Sequence, residues 1–218
     1  MRAITSWSDE GYEVYGKRFL ETWREWVDLP LTVYTEGNGI EGVACKNLWD
    51  VPGCVEFVRE AHATEDYRFN ARKFARKAYA QMDAFLDGGI VLWFDGDIEF
   101  SGSLNADYIH ARIGPYLSYM ARESFYPCSS FVAWNTDHQD HPRFLATYKR
   151  LYDDRMLYRE KQWHDAFILD VAITQSGVHA TNLCKGMQKA VRSYNVFDLV
   201  FPMGHHKKGP RKTGDKGG

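Results

Sequence analysis

Gly88-Gly89-Ile90-Val91-Leu92-Trp93-Phe94-Asp95-Gly96-Asp97 is an apolar run that opens after two glycines and stops at two carboxylates separated by one glycine. A continuous apolar run bounded in this way reads as a strand buried on both faces of a parallel sheet. Such sheets hold their ligands at the carboxyl ends of the strands, which is where Asp95 and Asp97 fall. In extended backbone, residues two apart point to the same side. Both carboxylates then face one cation, and Gly96 admits a ligand close to the backbone. Hard oxygen ligands suit Mg²⁺ or Mn²⁺, and such an ion suits a phosphate. The same three residues also make an ordinary turn; the buried strand before them favours the metal reading. A calcium EF-hand loop is excluded, because it needs glycine at its sixth position and glutamate at its twelfth. Phe100 and Ala106 stand there.

The chain around this run alternates between strand and helix patterns, which argues for an α/β sheet. Ala3–Trp7 reads as a first strand, and Ser8, Asp9 and Glu10 as a helix start. Tyr15, Phe19, Trp23 and Trp26 recur at helical steps until Pro30. Leu31–Thr35 and Gly42–Cys45 read as further strands. The spacing predicts a helix from Asn70 to Phe85, with Ala71, Phe74, Ala75, Ala78, Met82 and Phe85 on its apolar face. Arg72, Lys73, Arg76 and Lys77 then load the opposite face, which is ordinarily a solvated one; Lys73 and Arg76 are the two read alternatively as ligand contacts. Farther on, Pro115–Ala121 and Ser129–Trp134 read as strands. Pro142 opens one helix, as proline suits a first turn, and Trp163–Ile173 forms another.

The chain has 218 residues, 44% hydrophobic and 26% charged, which fits one domain with a sizeable core. A net charge of -2 gives no global pull toward nucleic acid or anionic membranes. No apolar stretch approaches the roughly 20 residues of a bilayer span, and the N-terminus lacks the apolar core of a signal peptide. These features lead us to expect a cytoplasmic protein. Cys45, Cys54, Cys128 and Cys184 match no zinc or redox spacing and read as reduced, half-buried thiols. Oligomeric state is not legible.

Three further segments carry candidate chemistry. Gly204-His205-His206-Lys207-Lys208-Gly209-Pro210-Arg211-Lys212 joins metal-binding imidazoles to phosphate-neutralising cations. By itself it reads as a solvated basic tail; paired with the two aspartates it fits a flap closing over a metal diphosphate. Asp165 stands at a helix start, where a carboxylate either caps the helix or faces an acceptor hydroxyl; His164 beside it reads as structural. Asp137-His138-Gln139-Asp140-His141 resembles a metal cluster on paper, but its place before Pro142 explains it as loop and cap.

Taken together, these residues make the chain resemble metal-dependent nucleotide-sugar glycosyltransferases of the GT-A fold. Leu92–Asp97 is similar to their Asp-x-Asp signature, the segment His206–Lys212 to their C-terminal histidine–lysine segments, and Phe131–Asn135 with Trp163–Asp165 to their acceptor-side strand and acidic helix. The resemblance runs from about Ile4 to Lys212. It implies a single GT-A-type, Rossmann-like domain over residues 1–203, with a mixed, mostly parallel central sheet flanked by helices. Residues 204–218 would be a flexible basic segment closing over the donor. It also implies a nucleotide-sugar donor, a uridine diphosphate hexose in the first instance, a glycan or other hydroxyl acceptor, and Mn²⁺ or Mg²⁺. Asp95 would touch ribose or metal, Asp97 the metal, and His206 would be the third ligand, with His205 as its alternative. Lys208, Gly209, Arg211 and Lys212 would hold the diphosphate. Thr5, Ser6 and Trp7 would hold the nucleoside, together with Tyr34; on the alternative reading of the basic helix face, Lys73 and Arg76 would contact the nucleotide-sugar. Asp165 is the candidate base should the reaction invert; the C-terminal segment leans toward retention. Two other classes stay open: a metal-dependent phosphoesterase or nuclease recruiting Glu99, Asp137 and Asp140, and a binding module in which the many aromatics form a carbohydrate platform.

Overall fold

The computed structural model describes residues 1–121, 124–187 and 199–205. The chain enters through β1 (Arg2–Trp7) and a helix in three parts: α1 (Asp9–Gly11), a π-helical turn (Tyr12–Gly16) and α2 (Lys17–Trp26). The short β2 (Val27–Asp28), β3 (Leu31–Thr35), β4 (Ala44–Asn47) and α3 (Cys54–Glu60) follow. Then come α4 (Ala71–Phe85), β5 (Ile90–Phe94), β6 (Ile98–Phe100), β7 (Leu104–Asn105) and α5 (Ala106–His110). The second half holds β8 (Leu117–Met120), β9 (Cys128–Asn135), α6 (His141–Asp153), α7 (Asp165–Ser176), β10 (Ala180–Asn182) and β11 (Met203–His205).

Seven strands form one sheet in the order β10-β8-β9-β5-β1-β3-β4. β5 pairs parallel with β1 but antiparallel with β9, and β8 is also antiparallel to β9. The remaining pairs are parallel, so β9 alone runs against the other six. The sheet is thus mixed and mostly parallel, as the resemblance implied, with Ile90–Phe94 paired parallel on one side and antiparallel on the other. Burial on both faces holds. Val91 and Trp93 pack into a core beneath α3, α4, α6 and α7, while Leu92 and Phe94 pack against Phe19, Trp23 and Phe100 on the other face. That two-faced burial is why the strand reads as a continuous apolar run and not as an alternation.

Element ends follow local chemistry. Asn70 caps α4 by accepting from the Lys73 amide, and His164 caps α7 by accepting from the Phe167 amide. The cap of α7 is thus His164, not Asp165. Pro142 sits in the first turn of α6. β11 pairs antiparallel with β6, setting Gly204 opposite Glu99 and His205 opposite Ile98. The first two residues of the expected flap are therefore part of a strand, which continues across the expected boundary at 203. Among the described residues no helix is long and apolar enough to cross a membrane.

Candidate active site

At the carboxyl ends of β1 and β5 lies a cavity of about 440 Å³. Ser6 and Trp7 line it from β1; Lys73, Phe74, Arg76 and Lys77 from α4; Asp95, Gly96 and Asp97 from the turn after β5; and Asp165 from the start of α7. Tyr15, on the π-helical turn, and Glu36 complete its polar wall.

The carboxylates are brought together by a tight turn, not by strand alternation. β5 ends at Phe94, and the Ile98 amide bonds back to the Asp95 carbonyl at 3.2 Å. Gly96 has a different function from the one read in the sequence. The Trp7 indole donates to its carbonyl at 3.0 Å, and a Cβ there would fall inside the Trp7 ring. What approaches this backbone is a tryptophan, and only glycine leaves it room. Asp97 is 8% exposed, so its carboxylate sits in the wall and not in solvent.

The centre of the site is a residue that helical periodicity assigned to solvent. Lys77 is 7% exposed. Its ammonium gives all three of its hydrogens away: to Asp95 Oδ1 at 2.7 Å, to the Ser129 carbonyl at 2.6 Å and to Asp165 Oδ2 at 2.7 Å. Ser129 Oγ donates to the same Asp165 oxygen at 2.7 Å, and the Trp93 indole donates to Asp95 Oδ1 at 2.8 Å. Burial alone would push the Lys77 ammonium toward neutrality. The Asp165 and Asp95 charges outweigh it and hold the pKa above the usual lysine value. Burial likewise works to raise the Asp165 pKa, but the Lys77 charge and the Lys77 and Ser129 hydrogen bonds keep it below the ordinary carboxylate value. This cluster locks α4, β5, β9 and α7 together at one point. The signal for it lay in Ala80 and Ala84, a second stripe of short side chains on the Lys77 side of α4; both are buried.

The other sequence candidates divide. Lys73 lines the cavity with its ammonium 5.7 Å from the Phe74 ring, and Arg76 is paired with Glu36 at 2.6 Å. Ser6 and Trp7 reach the cavity, but Thr5 is fully buried and does not line it. Tyr34 is buried and donates to Asp83, away from the cavity. Glu99 binds Arg18, Asp137 accepts from the Gly89 amide, and Asp140 binds Arg143, so the carboxylates needed for a two-metal phosphoesterase do not converge here. His206, Lys208, Gly209, Arg211 and Lys212 lie outside the described residues. Among the described residues no three His, Cys, Asp or Glu side chains gather as a metal cluster. Cys45, Cys54 and Cys128 are free thiols, half-buried except for the buried Cys54.

No protein-family model matches the chain, and no curated protein matches it in sequence. Solved structures do. An active-site mutant of LgtC is similar over 96% of this chain and 88% of its own, with 14% identity and a TM-score of 0.54. The galactosyltransferase LgtC in complex with donor and acceptor sugar analogs is similar over 97% of this chain and 88% of its own, with 13% identity and a TM-score of 0.51. The bifunctional glycosyltransferase WbbM matches over 84% of this chain at 13% identity and a TM-score of 0.53; the match spans 38% of its length. At these identities the likeness is one of fold, and the fold of this chain is the mixed α/β fold of the GT-A type.

Proposed function

We propose that this chain is a glycosyltransferase that moves a hexose from a nucleoside diphosphate sugar to a hydroxyl acceptor, using Mn²⁺ or Mg²⁺. The observation that carries this reading is the cavity at the ends of β1 and β5. Asp95 and Asp97 form one wall, and the Lys73 ammonium stands on another. The lining fits a hard divalent cation: it offers carboxylates and hydroxyls, with no thiol or imidazole among the described residues. Both donors to Asp95 fall on Oδ1, which leaves Oδ2 as the ligand oxygen beside the Asp97 carboxylate. β11 runs the backbone to His205 opposite Ile98, next to Asp97 in the chain, which supports a third ligand from this histidine pair, His206 or His205. Bound there, the ion would stabilise charge developing on the departing diphosphate.

The residues of the chain take the remaining tasks. Lys73, for which no carboxylate lies within ion-pair distance among the described residues, faces the diphosphate. Ser6 and Trp7 bound the nucleoside end, with a uridine diphosphate hexose the first donor to test. Asp165 positions Lys77 against Asp95. Held ionised by an ammonium and a hydroxyl, it is a poor proton acceptor, which favours a retaining reaction in which the acceptor proton passes to a departing phosphate oxygen. The test is nucleotide release from a panel of nucleoside diphosphate sugars with Mn²⁺, together with calorimetry of nucleoside diphosphate binding. Asp97→Asn should reduce release by ~10²-fold or more, the usual loss when one electrostatic partner of the leaving group is removed. No release with any donor and no metal-dependent diphosphate binding would overturn the reading.

A further inference from the structure

We infer that Tyr67 and Tyr126 form an acceptor platform that stacks a pyranose ring beside the catalytic cavity, so that the acceptor is a saccharide. The inference rests on the transfer reading for the name "acceptor", and on the following geometry for the platform itself. Tyr67 is 55% exposed and Tyr126 37%, and Phe125 next to it is 53% exposed. These three are the exposed Phe and Tyr side chains among the described residues, and Tyr67 and Tyr126 meet on the same imidazole. The Tyr67 ring lies 5.5 Å from the His164 ring, and the Tyr126 ring 5.4 Å from it. Phe74, which lines the cavity, lies 6.2 Å from the same imidazole. The next residue after His164 is Asp165, also in the cavity wall. The two tyrosines are thus one ring removed from the reaction space.

The platform is built rigidly, which an incidental surface aromatic is not. Tyr67 opens a 3₁₀ turn, Tyr67–Phe69, capped by Asp66 through the Arg68 amide. The Arg68 guanidinium grips the Asp66 carboxylate at 2.6 Å, and the Trp163 amide bonds the Arg68 carbonyl at 2.6 Å. On the other side, the Tyr126 ring is held against the His164 ring at 5.4 Å and the Phe167 ring at 6.2 Å. A rigid aromatic loses little freedom when it is covered.

The chemistry of the patch selects the occupant. Its exposed apolar surface is aromatic, with polar groups near the rings: the Arg68–Asp66 pair, next to Tyr67 in the chain, and Gln162, whose amide oxygen lies 3.0 Å from His164 Nε2. A pyranose has one apolar C–H face and a rim of hydroxyls, and matches such an alternation.

The test uses the whole chain and a panel of methyl glycosides of hexoses, N-acetylhexosamines and deoxyhexoses, with glycerol as a ringless control. Binding is read by saturation-transfer NMR, oligomeric state by sedimentation, and nucleoside diphosphate binding separately by calorimetry. At least one glycoside should bind and glycerol should not. Tyr67→Ala/Tyr126→Ala should weaken that binding by about tenfold, the scale of one or two lost stacking contacts. The double tryptophan variant should keep it, and diphosphate binding should stay unchanged in both. Three results would overturn the platform: no glycoside binding, binding untouched by the alanine pair, or a dimer that the alanine pair dissociates. Glycoside binding through these tyrosines without any diphosphate binding would uphold the platform while removing the transfer reading.

Discussion

Lys77 is the residue on which the site turns, and its environment makes a specific demand. A buried ammonium is tolerable only when every hydrogen has a partner. Here Asp95, Asp165 and the Ser129 carbonyl provide them. Lys77→Met leaves two carboxylates facing each other without a counter-charge. It should lower stability by about 3–5 kcal/mol, the range for breaking a buried ion pair. Adding Asp165→Asn should recover part of that loss, because one stranded charge goes with it. Denaturant unfolding of the two single variants and the double variant checks this: losses that simply add would show that the groups do not act as a cluster. Gly96 makes the complementary point. Its type was legible as a turn residue, but the reason for it, the Trp7 ring against its backbone, comes from a segment 89 residues away.

At the scale of elements, α4 carries most of the cavity's cationic side chains, so its first turn matters. Asn70 caps it by accepting from the Lys73 amide at 3.0 Å. Asn70→Ala should cost about 1 kcal/mol, read by denaturant unfolding; an unchanged midpoint would mean that solvent satisfies that turn equally well. The strand ends of Leu31–Thr35 and Ile90–Phe94 and the start of α6 were readable because glycines, aspartates and prolines fix them locally. The polar face of α4 was misread for a physical reason. Periodicity reports how wide an apolar stripe is, not how many layers cover the helix, and α4 is packed by the sheet, α3 and α7 together. The two-residue overlap of β11 with the expected flap has a similar origin, since glycine and histidine carry no strand signal until β6 offers its edge.

For the molecule as a whole, burial couples folding to pH. His164 and His141 are both pushed below the usual histidine value of 6.5, chiefly by burial. The unfolded chain then takes up more protons as pH falls below 6.5, so stability present above that value declines with acidification. Asp165 adds a second loss below its ordinary value of 3.8, and Lys77 a loss above 10.5. His164→Asn keeps a capping oxygen and removes one titration. Its melting temperature should fall less steeply than the parent's in calorimetry below pH 6.5, whereas an identical slope would place the proton uptake elsewhere. The sequence by itself determined the alternation of strands and helices, the buried β5 and the carboxylates at its end, because backbone geometry and side-chain period act over a few residues. Only the tertiary structure decided that β9 runs against its neighbours, that Lys77 is the buried centre, that Trp7 fills the space beside Gly96, and that His164 caps the helix Asp165 begins. The first three depend on groups far apart in the chain, whose desolvation and pairing have no local signature; the cap is local, and burial decides which of two adjacent side chains meets the Phe167 amide.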